Sequence, residues 1–365
     1  MRRLDIDMAY LTRVMTRMLR TPSPTGFTDA IVGLVCEELT ALGLHVELTR
    51  RGAIRANLQG QQQSPDRAVI AHVDTLGAMV KSLKDNGRLE IVPIGTWSSR
   101  FAEGARCTVF SGHGGRYRGT ILPLKASGHV YNTEVDTMPV SWDHVELRLD
   151  ERVSSRADLM RLPIYVGDII AIDTGVDATE NGFVNSRHLD DKAGVACLLA
   201  ATKAIIESDV RLPVDCHILL TISEEIGTGA SHVLHGDVAE MVSIDNGTLA
   251  PGQNTAEFGA TICMMDQSGP FDWHLSNGLC ELAREFSIPF ARDVFKYYRS
   301  DSASALEAGN DIRTALICFG LDASHGYERV HLDSLEAVAN LIAVYMQSPP
   351  VLARQQIGST PVAGE

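Results

Sequence analysis

The run Val69-Ile70-Ala71-His72-Val73-Asp74-Thr75-Leu76-Gly77 constrains the fold most. A near-continuous apolar stretch, with no alternating polar positions, has to be covered on both faces. That is how a strand inside a parallel sheet reads. The run ends in a histidine, and a carboxylate follows two residues later. The strand therefore carries a ligand-type side chain at its C-terminal tip.

The rest of the chain supplies the cover. Apolar residues recur at helical spacing from about Met8 to Leu19, and Thr21-Pro22-Ser23-Pro24-Thr25-Gly26 stops that helix. A second helix is expected from about Asp29 to Leu42, with Gly43 as its C-cap. Short strands are expected at 46–49 and 54–58. Between about Ala78 and Asp173 helical periodicity fades. Short alternating runs are separated by glycines there, as in Ser111-Gly112-His113-Gly114-Gly115.

From about Asn185 onward helices and strands alternate again. Helices are expected at 192–207, 273–286, 302–308 and 335–346, and strands at 216–222, 241–244 and 314–319. This pattern predicts an α/β fold: a mostly parallel mixed sheet with helices on both faces, plus an inserted small β-barrel-like domain. The expected division is 1–77 with 174–347 for the main domain, 78–173 for the insertion, and 348–365 for a disordered tail rich in Pro, Gln, Gly and Ser.

Composition narrows the function classes. A formal net charge of −14 argues against a nucleic-acid partner or an acidic membrane surface, since phosphate binding needs a basic face. Seven scattered cysteines form no C-x-x-C pair. They read as small buried hydrophobes in a reducing compartment. The N-terminal residues lack the apolar core of a signal peptide, and no run approaches the roughly 18 apolar residues of a membrane span. A cytoplasmic protein is the expectation.

Five clusters stand at or just past expected strand ends: His72 with Asp74, Asp190-Asp191, Glu224-Glu225, Asp245, and His325. Open α/β sheets build their sites beyond the carboxyl ends of the strands. Each cluster has a plainer reading. Asp190-Asp191 opens a helix and can be a cap. Asp245-Asn246-Gly247 is a good turn signal. Glu224-Glu225 can be a solvated turn, and either histidine a core or surface residue. As a set they favour a cation, because clustered carboxylates repel and divalent ions remove that cost. Two His plus carboxylates, without cysteine, suits zinc, cobalt or manganese. Two metals about 3.5–4 Å apart sharing a carboxylate can hold a hydroxide and polarise a carbonyl, with a free carboxylate as general base.

The ordered motifs Ala71-His72-Val73-Asp74-Thr75-Leu76-Gly77, Arg187-His188-Leu189-Asp190-Asp191-Lys192-Ala193-Gly194, Ser223-Glu224-Glu225-Ile226-Gly227, Ser243-Ile244-Asp245 and Ser324-His325 carry a family resemblance. The chain resembles the tetrahedral aminopeptidases, cocatalytic metallopeptidases related to glutamyl aminopeptidase and to proteins labelled endoglucanases. The resemblance implies two divalent ions per subunit. His72 and Asp245 would hold one, Glu225 and His325 the other, and Asp190 would bridge them across an often cis Asp190-Asp191 peptide. It makes Glu224 the general base, which takes a proton from the bridging water, and Asp74 the group that orients the His72 ring. It also implies short peptide substrates, and a homodimer formed through the insertion that can grow to a dodecamer.

The chain departs from the family at Thr75-Leu76, at Ile226-Gly227-Thr228-Gly229-Ala230 and at Leu321-Asp322-Ala323-Ser324. These are pocket and loop positions. Asp301 matches a family aspartate near the substrate cleft, and Arg299 is placed to read an acidic group. The stretch from Arg50 to Asn57 resembles the branch associated with the osmoprotectant N-acetylglutaminylglutamine amide. Three activities stay open: aminopeptidase, a related hydrolase of N-acyl or dipeptide-amide bonds, and a non-catalytic metal-stabilised assembly protein.

Overall fold

The computed structural model describes residues 1–351. A 12-stranded mixed sheet dominates it. Four strands form its parallel centre, in the spatial order Leu212–Thr221, Gly60–His72, Val238–Thr248 and Arg313–Asp322. Their carboxyl ends therefore open on one edge. Thr221 pairs with His72, and Asp245 with Cys318. From Asp66 to His72 every residue is buried, as the apolar run requires.

Antiparallel strands flank this centre. Ile54–Leu58 and Val46–Leu48 lie on one side, and Glu328–His331, Phe183–Ser186 and Asp177–Ala178 on the other. The helices Met8–Leu19, Leu189–Glu207 and Leu332–Gln347 pack on one another and against the sheet. Leu189–Glu207 is buried almost throughout. A helix that is apolar all round belongs in an interior, and its Ala193, Gly194, Ala196, Ala200 and Ala201 let neighbours approach closely.

The chain from Gly77 to Ile172 leaves the sheet and closes a six-stranded antiparallel barrel. Its strands are Gly77–Leu83, Leu89–Ile94, Arg106–Phe110, Arg116–Pro123, Val145–Leu149 and Ile169–Ile172. Alternate residues such as Val80, Leu89, Ile91, Val109, Ile121, Leu147 and Ile170 fill it. Full closure leaves no free strand edge.

Three local expectations change. Strand Val238–Thr248 runs straight through Asp245-Asn246-Gly247, which reads as a turn in isolation. Pairing with Arg313–Asp322 as far as Thr248 overrides that local preference. Gly60–His72 begins well upstream, through a glutamine-rich stretch with a cis Ser64-Pro65 bond. Strands Ala260–Asp266 and Phe290–Val294 had no clear alternation and were not anticipated. All seven cysteines are free thiols, and six are buried. No helix among the described residues is long and apolar enough to cross a membrane. At the expected tail, Ser348 is buried and the Val351 N–H donates to Glu240 at 2.7 Å. The remainder, 352–365, lies outside the described residues.

A buried charge cluster ties strands Gly60–His72 and Val238–Thr248 to helix Leu332–Gln347. Arg67, fully buried, pairs with Glu240 at 2.8 Å and stacks over the Tyr345 ring at 4.4 Å. The Tyr345 hydroxyl donates to Glu240 at 3.0 Å. Removing one member strands the other's charge in the core. Glu240→Ala is expected to destabilise the chain by about 3–5 kcal/mol, seen as a large drop in the chemical-denaturation midpoint. A midpoint near wild type would contradict that reading.

Candidate metal centre

The five clusters converge. His72 ends its strand, and Glu224 and Glu225 sit in the 3-10 turn just past Leu212–Thr221. Asp245 lies near the end of Val238–Thr248, and His325 in the loop after Arg313–Asp322. Asp190 stands at the head of Leu189–Glu207, before the regular helix begins, joined to Asp191 by a cis peptide. Among the described residues two groups have ligand atoms within 4.8 Å of one another: His72 with Asp190 and Asp245, and Asp190 with Glu225 and His325. Asp190 belongs to both.

The distances show how it is shared. One carboxylate oxygen of Asp190 lies 3.1 Å from Nε2 of His72. The other lies 3.5 Å from Nε2 of His325. Glu225 is 3.7 Å from the same His325 nitrogen. Glu224 approaches His72 Nε2 at 3.8 Å and lines the open cleft.

A second layer orients these groups. Nδ1 of His72 is 3.0 Å from the main-chain carbonyl of Asp74, while the Asp74 carboxylate is farther from it, at 3.6 Å. That carboxylate works elsewhere. It accepts from Thr25 at 2.6 Å and from the N–H groups of Glu224 and Glu225 at 3.1 and 3.4 Å. Asp74 thus fixes His72 with its backbone and the double-glutamate turn with its side chain. Arg51, in the arginine-rich stretch, braces the same turn by donating to Ser223 at 3.1 Å. Asp191 does not face the cleft. Its carboxylate accepts the His72 N–H at 3.1 Å and folds under its own helix. A Cβ at Gly194 would meet it at 2.1 Å, so a side chain there would have to displace this carboxylate.

Three residues escaped the sequence reading. Glu328 is buried and accepts the N–H groups of both Asp190, at 3.2 Å, and His325, at 3.0 Å. Asn246 donates to Asp190 at 2.7 Å and to Asp245 at 3.1 Å. The buried Tyr298 hydroxyl, on the cleft wall, faces the Asp245 carboxylate. Tyr298 was visible in the run Tyr297–Asp301. Glu328 had only its spacing, three residues after His325.

Burial, and then the Asp190 charge, push both Glu225 and Asp245 up to about 8. Burial also holds Glu224 well above its ordinary value, helped by Asp245 and Asp301 and opposed by His72. Burial works against the charged form of His325, but Asp190 and Glu225 still raise it to about 10. Four carboxylates and two imidazoles packed this closely suit a divalent cation. The donor set, two His nitrogens with carboxylate oxygens and no thiolate, fits zinc-like ions.

A cleft of about 1480 Å³ opens over the cluster. Asp301 and Arg299 both line it. The Asp301 carboxylate is engaged by Thr221 at 2.6 Å and the Ala230 N–H at 2.8 Å. Arg299 pairs with Glu307 at 2.7 Å.

The chain matches the M42 glutamyl aminopeptidase family over residues 52–341. It is 39% identical over 338 residues to YhfE of Bacillus subtilis, whose name assigns it provisionally to the aminopeptidases, covering 93% of this chain and 97% of that one. Lysyl aminopeptidase of Pyrococcus furiosus is 22% identical, over 90% of this chain and 94% of its own. Among solved structures, the TET aminopeptidase of a marine sediment Thaumarchaeota archaeon superposes with a TM-score of 0.84 at 18% identity, covering 92% of this chain and 96% of that one. The TET1 peptidase of Pyrococcus horikoshii, which can assemble into a tetrahedron or a large octahedral shell, gives 0.80 at 19% identity, covering 92% and 99%. With the family match spanning most of its length, the chain belongs to the M42 aminopeptidase family.

Proposed function

We propose that this aminopeptidase removes N-terminal residues from short peptides with two divalent cations per subunit, zinc or cobalt, or else manganese. The carrying observation is Asp190, whose two oxygens face His72 and His325 separately. His72, Asp245 and Asp190 would hold one ion, and Glu225, His325 and Asp190 the other. Bound ions supply Lewis acidity, which acidifies water and polarises a peptide carbonyl.

The chain's own groups do the proton work. Glu224 lies beside the cluster without joining either ligand group and lines the cleft, which is the place of a general base. It takes the proton of the water whose oxygen bonds to the peptide carbonyl carbon. When the C–N bond breaks, Glu224 gives that proton to the departing amine. Asp74 keeps Glu224 in place through its backbone N–H. The cleft is large enough for several residues of peptide. Arg299 on its wall is the candidate reader of an acidic group, and Asp301 supports the wall from behind. A homodimer through the barrel, able to build larger shells, is part of the proposal. The shell-forming Pyrococcus horikoshii TET1 structure supports it.

Glu224→Gln is expected to keep its metal content and lose activity on amino-acid anilides by about 10²–10⁴-fold. Undiminished turnover would remove Glu224 as the base. Turnover of N-acylated substrates but not free-amine anilides would instead favour the amide-hydrolase alternative. Cation binding should also release protons. Glu225, Asp245 and His325 hold theirs up to about pH 8, 8 and 10, and all must lose them to ligate, so affinity rises with pH from 6 to 8. Calorimetry in buffers of different ionisation enthalpy should give buffer-dependent heats. Buffer-independent heats would argue against these residues as ligands.

A further inference from the structure

The inserted barrel reaches the metal centre through one loop. Between barrel strands Leu89–Ile94 and Arg106–Phe110, residues Gly95 to Phe101 form part of the cleft wall. One hydrogen bond and two close backbone approaches join this loop to the Glu225–His325 side. Nδ1 of His325 is 2.8 Å from the Thr96 carbonyl oxygen, which leaves Nε2 facing Asp190 and Glu225. Gly95 has a φ of +80°, and a Cβ there would meet the Leu76 side chain at 2.5 Å and the Glu225 carbonyl oxygen at 3.3 Å. A Cβ on Gly326, next to His325, would lie 3.3 Å from the Phe101 ring.

The loop is held from the barrel side by two tryptophans. Trp97 donates its indole N–H to the Gly77 carbonyl at 3.1 Å. Trp142, in the 3-10 turn Trp142–His144, donates to the Trp97 carbonyl at 3.1 Å. Their rings meet edge to face with centroids 4.8 Å apart. On the other side of the centre, His72 is fixed by Asp74 at its own strand end. The two histidines are therefore braced by different parts of the chain.

We infer that the barrel, through Trp142 and the Gly95–Phe101 loop, fixes the His325 ring and so sets the cation affinity of the Glu225–His325 half of the centre. The inference rests on the two-cation reading above. A carbonyl on the far nitrogen of a ligating histidine selects its tautomer and ring plane, and losing such a partner typically weakens binding about 10–100-fold. Trp142 is thus a positioning residue that touches neither cation nor substrate.

Cobalt(II) titrated into metal-free protein, followed by calorimetry and visible absorption, tests it. His72→Ala and His325→Ala identify the binding step belonging to each half. In Trp142→Phe, the step lost in His325→Ala should weaken by about tenfold or more, while the step lost in His72→Ala barely moves. Gly95→Ala, acting at the other end of the brace, should do the same. Circular dichroism confirms the fold of each variant. Equal weakening of both steps, or no weakening in either folded variant, overturns the inference. If His325→Ala removes no step, the two-cation reading itself fails and takes the inference with it.

Discussion

The carboxylate of Asp190 is the point on which the site turns. One oxygen faces His72 at 3.1 Å and the other His325 at 3.5 Å, so it joins groups delivered by distant parts of the chain. Its own position is fixed on several sides. Glu328 takes its N–H and Asn246 donates to its side chain, while the following residue, Asp191, holds the His72 backbone. The same Glu328 carboxylate also takes the His325 N–H. Asp190 and one of its histidines thus share a backbone anchor as well as a side-chain contact.

The fold makes this arrangement by ending four parallel strands on one edge. Each contributes a side chain at or near its end, and the buried head of helix Leu189–Glu207 brings Asp190 among them. The cost is concentrated negative charge in a dry place. Burial drives Glu225 and Asp245 far above ordinary carboxylates, so their charged forms need a compensating positive charge. A divalent cation supplies that charge, and ligating residues must give up their protons to bind it. The second layer carries the remaining burden, with Asp74, Asp191, Glu328 and the Thr96 carbonyl each holding a ligand-type residue or its backbone.

Much of this was legible in the sequence, for a physical reason. His72, Glu224, Glu225 and His325 follow apolar runs, and an apolar run that ends in a charged or imidazole side chain is conspicuous. Asp245 was legible as a residue but not as part of a strand, because Asp245-Asn246-Gly247 carries a turn's local preference and pairing with the neighbouring strand overrode it. Asn246 was hidden by the same reading. Glu328 was illegible because a buried carboxylate taking two backbone N–H groups looks, in sequence, like any surface glutamate. Thr96 acts through its carbonyl, which every residue has. In the fold, the barrel showed as a loss of helical periodicity, but strands Ala260–Asp266 and Phe290–Val294 lacked the alternation that betrays a half-exposed strand.

Anomalous diffraction from crystals of the zinc-loaded protein measures the shared role of Asp190 most directly. Two peaks per chain are expected, about 3.5–4 Å apart, one beside His72 and Asp245, the other beside Glu225 and His325, with an Asp190 oxygen against each. A single peak, or a pair that Asp190 does not touch, would contradict the two-cation centre.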